Sequence, residues 1–226
     1  MRILAFECAT IRCSAAVWED GAIRAHAASD AAHGATETLV PMLERVLSEA
    51  GTTFAAIDRL AVTVGPGHFT GLRAGLAVAR GIVLATGVPA VAVTTLETVA
   101  AATARADRRG RQVLVAIDSK RSEPYLQIFD ETLAPVTEAV ACAVEDFVTL
   151  QRRGMPLLVA GDAGPPVVEA LRRVGRDVAA APGPTQPDAA VVAALAAERA
   201  PVDGPLRPVY LHAPAVKLPL ARVSAS

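Results

Sequence analysis

Aromatic side chains are scarce in this chain: one tryptophan, two tyrosines and five phenylalanines make up 4% of its 226 residues, and the formal net charge is −1. A broad nucleic-acid-binding face is usually strongly basic and carries rings on which bases stack, so this composition argues against one. Cysteine is sparse and odd in number, with Cys8, Cys13 and Cys142. No C-x-x-C spacing occurs, so neither a disulfide framework nor a zinc site is signalled, and each thiol reads as a small buried hydrophobe in a reducing compartment. The four histidines, His26, His33, His68 and His212, form no H-E-x-x-H and no pair on one helix face. No G-x-S-x-G elbow is present. No basic stretch with a cleavage site opens the sequence. The apolar run from Ile82 to Val93 is interrupted by Gly87 and Pro89 and is too short to span a bilayer. The expectation is a soluble, cytoplasmic protein with no membrane segment, no metal centre and no catalytic residues.

What the chain does have is a core's worth of apolar residues, 52% of the total. Its organising stretch runs from Leu60 to Gly87. An apolar strand over Leu60 to Val64 leads into a turn punctuated by Gly65, Gly67 and Gly71, and a long apolar helix follows from about Thr70. The spacing is G-x-G-x-x-x-G, one residue longer than the dinucleotide fingerprint, and no lysine supplies a Walker pattern. Two readings remain: a closely packed strand-to-helix turn, or a phosphate or partner-loop site that uses the free N–H groups of the helix start. Thr70 serves both, because its hydroxyl can cap the helix.

Ahead of this stretch, strands are predicted over Ile3 to Glu7, Cys13 to Trp18 and Ala22 to Ala28, the last two joined by Asp20-Gly21. The corner Glu7-Cys8-Ala9-Thr10 closes the first strand, either as an ordinary polar turn or as a holder of hydrated metal and phosphate. A helix is expected over Ala35 to Gly51, regular from near Thr38 because of Pro41. Its apolar positions Leu39, Val40, Met42, Leu43, Val46 and Leu47 cover more than one stripe. The helix over Leu72 to Ala85 is polar only at Arg73 and Arg80 and rich in small residues. More apolar surface than one core can use suggests a partner interface centred on Leu39, Val40, Leu43, Val46, Leu47, Leu72, Arg73, Leu76, Arg80 and Val83. The alternative is burial of both helices within their own lobe.

Further on, Val88 to Val93 reads as a strand and Thr95 to Arg105 as a helix. Composition shifts at 106–110, the expected boundary between an N-terminal lobe (1–106) and a C-terminal lobe with an extended tail (107–226). The basic run Arg105 to Arg111 reads as a solvated loop, with an RNA contact as the alternative. Val113 to Ile117, Asp118 and Tyr125 to Phe129 repeat the strand–corner–strand pattern of Ile3 to Trp18. Leu157 to Ala160 is a buried strand closed by Gly161 and Gly164. Helices follow over Val167 to Val174 and Ala189 to Arg199, separated by a Pro/Gly linker from Ala180 to Pro187. The end of the proline-rich tail is expected to be disordered. Glu7 and Asp118 would face each other across the cleft between the lobes, a carboxylate pair suited to acid/base or metal work.

The strings ILAFECAT, CSAAVW, HGATETLVPMLERVL, VTVGPGHFTGLRAGLAVARGI, VTTLE and LVAIDSKRSEPYLQIF resemble the TsaB (YeaZ) family in content and order, over residues 1 to about 130 and again at PVYLH. The resemblance implies an α/β, two-lobed actin/sugar-kinase-like (ASKHA) fold, each lobe a mixed sheet with helices and the second lobe reduced. It implies an accessory subunit in threonylcarbamoyladenosine modification of tRNA at the adenosine next to the anticodon. Such a subunit has no transferase activity or intrinsic cofactor of its own. It joins a TsaD-type catalytic subunit through the two over-apolar helices, works beside a TsaE-type ATPase that uses ATP and magnesium, and meets tRNA indirectly; whether the chain alone forms a homodimer is left open by the sequence. The chain departs from the family at Glu7, where aspartate is usual, and kinase relatives have glycine at Ala9. Both changes crowd a vestigial phosphate site made of Glu7, Thr10, Gly65, Gly67, His68, Thr70, Gly71 and Asp118. The rival readings are a small ATP-dependent phosphotransferase or ATPase and, third, a metallopeptidase.

Overall fold

The computed structural model describes residues 1–29, 35–150 and 154–212. Strands β1 (Arg2–Glu7), β2 (Cys13–Glu19), β3 (Ala22–Ser29), β4 (Arg59–Thr63) and β5 (Ala90–Val93) form one sheet in the order β3-β2-β1-β4-β5. Strands β6 (Gln112–Ile117), β7 (Tyr125–Phe129), β8 (Val140–Ala141), β9 (Leu157–Ala160) and β10 (Val178–Ala180) form a second sheet in the order β10-β9-β6-β7-β8. The two orders are the same unit written from opposite edges. In each, the first strand pairs antiparallel with the second and parallel with the fourth. The repeated strand–corner–strand signal therefore extends to a duplicated five-stranded unit.

Helices fill corresponding places in the two units. Helices α1 (Ala35–Glu49) and α2 (Phe69–Thr86) flank β4, and α5 (Val144–Leu150) and α6 (Gly164–Arg173) flank β9. The helix after each sheet crosses to the other sheet. Helix α3 (Thr95–Ala101), which follows the first sheet, sets Leu96, Val99 and Ala100 against Val113, Val115 and Ile117 of β6. Helix α7 (Ala189–Ala197), which follows the second, sets Ala189, Val192, Ala193 and Ala196 against Ile3, Ala5, Ala61 and Val91 of the first. Covering both faces explains why residues 3–6 of β1 and residues 113–117 of β6 are continuous apolar runs instead of alternating. In β1, Leu4 and Phe6 face the α1/α2 side, whereas Ile3 and Ala5 face α7.

Local chemistry places the ends. Asp20 and Gly21 both take positive φ in the β2–β3 turn, as a two-residue hairpin requires. Gly87, left-handed, stops α2, and its N–H donates to Val83 O at 2.8 Å. Thr94 and Glu97 form a reciprocal capping box at α3. The short helix α4 (Arg105–Arg108) connects α3 to β6.

Several expectations need correction here. The division near residue 106 falls between the sheets, but α7 and residues 201–210 return to the first lobe, while Leu211 and His212 lie against β6 and β7. Val202 N–H donates to Ala90 O at 2.8 Å, and Val209 N–H donates to Val64 O at 2.7 Å. The basic run is not wholly solvated, because Arg108 is buried. Cys8 and Cys13 are joined in a disulfide across the first hairpin corner, Cα to Cα 4.5 Å, rather than standing as separate thiols. The linker from 180 hides the end of β10, and β8 and α5 had no sequence signal of their own. Disorder of the final residues concerns 213–226, and His33 lies at 33; both fall outside the described residues. Helix α2, at 18 residues, is long and apolar enough to cross a membrane by length and composition, and here its inner face packs in the first lobe's core.

Candidate functional site

The glycine turn sits against the first hairpin corner. His68 N–H donates to Ala9 O at 2.6 Å. A Cβ at Gly67 would collide with the Ala9 carbonyl, and one at Gly71 with the Cys8 carbonyl. Gly65 has φ +99°, and a Cβ there would lie 2.9 Å from Val209 O. The glycines thus serve close backbone approach within the lobe. Thr70 does not cap α2: the N-cap is His68, with no side-chain capping bond, and Thr70 is exposed in the first turn. In the second lobe, Gly161 approaches Ala116 O in the same way, and Ala163 N–H donates to that oxygen at 3.1 Å.

Glu7 is fully buried at the end of β1. Its Oε1 accepts from Ala9 N–H at 2.6 Å, while Oε2 has no hydrogen-bond partner; the buried Thr10 hydroxyl is also unpaired. Burial pushes the Glu7 carboxyl up to about 7, against the opposing pull of Thr63 and of the Ala9 and Thr10 backbone, and the charge of Asp188 adds to the rise. Asp188, and not the Asp118 expected from the sequence, is the carboxylate whose charge reaches Glu7. Asp118 binds the Lys120 ammonium at 2.6 Å, which holds its carboxyl below the usual range. Across the cleft His68 feels Lys120, Asp118 and Asp162, and burial followed by Lys120 lowers its pKa. The fold family's magnesium–phosphate cradle does not fit this corner. Glu7 Oε1 is committed to Ala9 N–H, Ala9 carries a Cβ, and the His68 N–H of the glycine turn is spent on Ala9 O.

The helical face divides differently from its sequence reading. Leu39, Leu43, Val46, Leu47, Leu72 and Leu76 are buried in the first lobe's core, so they are not surface contacts; Leu76 is 3% exposed. Val83 is half-buried against the same core. Val40 remains exposed at 42%, and Leu84 projects at 88% in the last turn of α2. Arg73 and Arg80 are exposed but engaged. Arg80 Nε donates to Leu206 O at 3.1 Å and holds the returning tail on α2. Arg73 Nε donates to Tyr210 Oη at 2.9 Å, and its guanidinium lies 3.7 Å from the Phe69 ring centroid. Phe69, Tyr210 and Leu84 were not singled out from sequence. Leu84 had a signal, as a large apolar residue among Ala77, Gly81 and Ala85 on the outer face.

Comparison with known proteins accords with this architecture. The sequence family described as TsaD, tRNA N6-adenosine threonylcarbamoyltransferase, matches residues 28–194. The tRNA threonylcarbamoyladenosine biosynthesis protein TsaB of Escherichia coli (strain K12) is 40% identical over 126 residues, 55% of this chain and 53% of that protein. The chain thus spans about half the length of the curated TsaB relatives it matches. An uncharacterized protein of Mycobacterium tuberculosis (strain ATCC 25618 / H37Rv) is 33% identical over 185 residues, 82% of this chain and 78% of that one. Among solved structures, an uncharacterized protein with similarity to peptidase YEAZ from Pseudomonas aeruginosa superposes with a TM-score of 0.79 at 26% identity, covering 93% of this chain and 99% of that one. The duplicated sheets and crossed helices are the two-lobed actin/sugar-kinase-like fold, and the chain belongs to the TsaB (YeaZ) family.

Proposed function

We propose that this chain is a non-catalytic accessory subunit of tRNA threonylcarbamoyladenosine biosynthesis, and that it docks a TsaD-type catalytic subunit through the outer faces of α1 and α2. The observation that carries the docking is Leu84, 88% exposed on a helix whose outer neighbours Ala77, Gly81 and Ala85 are small. Small residues let a partner helix approach closely, and Leu84 then becomes the anchor that a pocket on the partner would fill. Val40 and the Phe69–Arg73–Tyr210 stack lie on exposed surface of the same pair of helices and the tail that crosses them. A contact of the usual specific size would bury about 1,200–2,000 Å² in total. In this reading ATP, magnesium and the adenylate intermediate are handled by other subunits, among them a TsaE-type ATPase. The complex works in the cytoplasm, and tRNA is met through the assembly.

The test is light scattering after size-exclusion chromatography, with this chain alone and mixed with the TsaD-type protein of the same genome. A one-to-one complex that is lost in a Leu84→Glu, Val40→Glu double variant supports the reading. Undiminished association of that variant overturns the assigned face, and a homodimer of the chain alone that is lost in the same variant means the face also serves self-association. The rival ATPase reading predicts nucleotide binding by the isolated chain, and the closed packing of the glycine turn on Ala9 counts against it.

A further inference from the structure

The basic run between the lobes lines a cavity of about 640 Å³, walled by Arg105, Arg108, Arg109, Glu131, Thr132 and Glu198. It forms where the connector carrying α4, the turn after β7 and the end of α7 meet. Arg108 is only 9% exposed, yet its Nε and Nη1 are buried without a hydrogen-bond partner. Among the described residues no ion pair ties Arg105, Arg108 or Arg109 to a carboxylate, although two glutamates stand in the same wall. Glu131 instead accepts from Gly110 N–H at 2.8 Å. Burial, and then the neighbouring charge of Arg105, disfavour the Arg108 cation. An uncompensated buried guanidinium is costly, and replacing such a group by an apolar one is often stabilising. The two enclosed nitrogens cannot be reached from the cavity, and Nη2, the guanidinium nitrogen that is not enclosed, is the one that can meet an anion there beside Arg105 and Arg109.

The rest of the wall narrows the ligand. Three arginines against two glutamates leave a net positive site, and the carboxylates and the Thr132 hydroxyl can accept from ligand hydroxyl groups. Among the described residues no aromatic ring lines the cavity, so none of them reads a base by stacking. The volume lies in the range of small-molecule sites. We infer that this cavity binds a ribose-phosphate unit, with Arg108 and its two neighbours on the phosphate and the glutamates on sugar hydroxyls. The unit comes either from a free sugar phosphate or from one nucleotide of an RNA strand. The inference stands on the cavity alone, so its failure and the failure of the docking assay are separate events.

Isothermal titration of the full chain at low ionic strength tests it, with ribose 5-phosphate, ribose, inorganic phosphate and a hexauridylate RNA as probes. Ribose 5-phosphate is expected to bind and ribose is not. Arg108→Met should weaken binding by about tenfold or more while its ligand-free unfolding temperature stays level or rises. The double variant Arg105→Gln, Arg109→Gln, both exposed, should weaken binding severalfold without altering the fold, which decides the matter if Arg108→Met folds poorly. Displacement of ribose 5-phosphate by hexauridylate assigns the site to RNA, and binding that the RNA leaves intact assigns it to a free sugar phosphate. Absence of any heat for ribose 5-phosphate or hexauridylate at about 10 mM, or binding undiminished in both sets of variants, overturns the inference.

Discussion

Glu7 occupies a place where its charge is costly. The ordinary carboxyl value is 4.5, and burial raises it to about 7. Between those values the folded chain keeps a proton that the unfolded chain has released. Stability therefore falls as pH rises from about 4.5 to about 7 and levels off above. Glu7→Gln keeps an oxygen for Ala9 N–H but carries no charge, so it should remove this slope and stabilise the protein by on the order of 3 kcal/mol above neutrality. Urea midpoints of both proteins across this pH range check it, and parallel curves would refute it. The neighbouring disulfide makes a second prediction. Closing the short loop between Cys8 and Cys13 is worth about 2 kcal/mol by chain entropy, so dithiothreitol should lower the urea midpoint of the wild type and leave Cys13→Ser unaffected. Little of this was legible in the sequence. Glu7 and the glycine turn could be named, yet their contact depends on carbonyls of Cys8 and Ala9, and backbone oxygens leave no mark in residue identity.

Helices show the same limit on a larger scale. The periodicity of α1 and α2 predicts both elements, and the Asp-Gly turn and apolar runs predict the strands around them. The surplus of apolar positions suggested an interface at Leu39, Leu43, Leu72 and Leu76. The lobe absorbs most of that surplus, because the returning tail brings Leu206 and Val209 against the same core. A cover supplied from more than a hundred residues downstream is invisible to local pattern. Leu76→Glu should therefore destabilise the monomer, by on the order of 4 kcal/mol, whereas Leu84→Glu should leave the urea midpoint unchanged and weaken the partner complex. Circular dichroism melts beside the association assay separate the two. Equal stability of both variants would contradict the burial described for Leu76.

For the whole molecule, the exchange of α3 and α7 is the governing feature. Arg199 Nη2 pairs with Glu97 Oε1 at 3.0 Å and ties the end of α7 to α3, while Arg59 Nη1 donates to Ala196 O at 2.6 Å at the C-terminal end of α7. At the other end, Ala189 N–H donates to Ser14 Oγ at 2.9 Å, and Asp188 caps the helix while binding His26 Nε2 at 2.9 Å. A chain ending at Pro187 should consequently expose Ile3, Ala5, Ala61 and Val91, bind a hydrophobic dye and lose cooperative melting. A truncated chain that melts sharply would show that the first lobe is complete without α7.

The same exchange bears on how the protein comes off the ribosome. The last strand of the first sheet ends at Val93, but the helix that roofs it begins only at Ala189. Throughout synthesis of the entire second sheet, one face of the first remains bare. The nascent chain is thus committed to finishing both lobes together, and a stall between these points would leave the greasy side of β1, β4 and β5 open to whatever chaperone or neighbour reached it first.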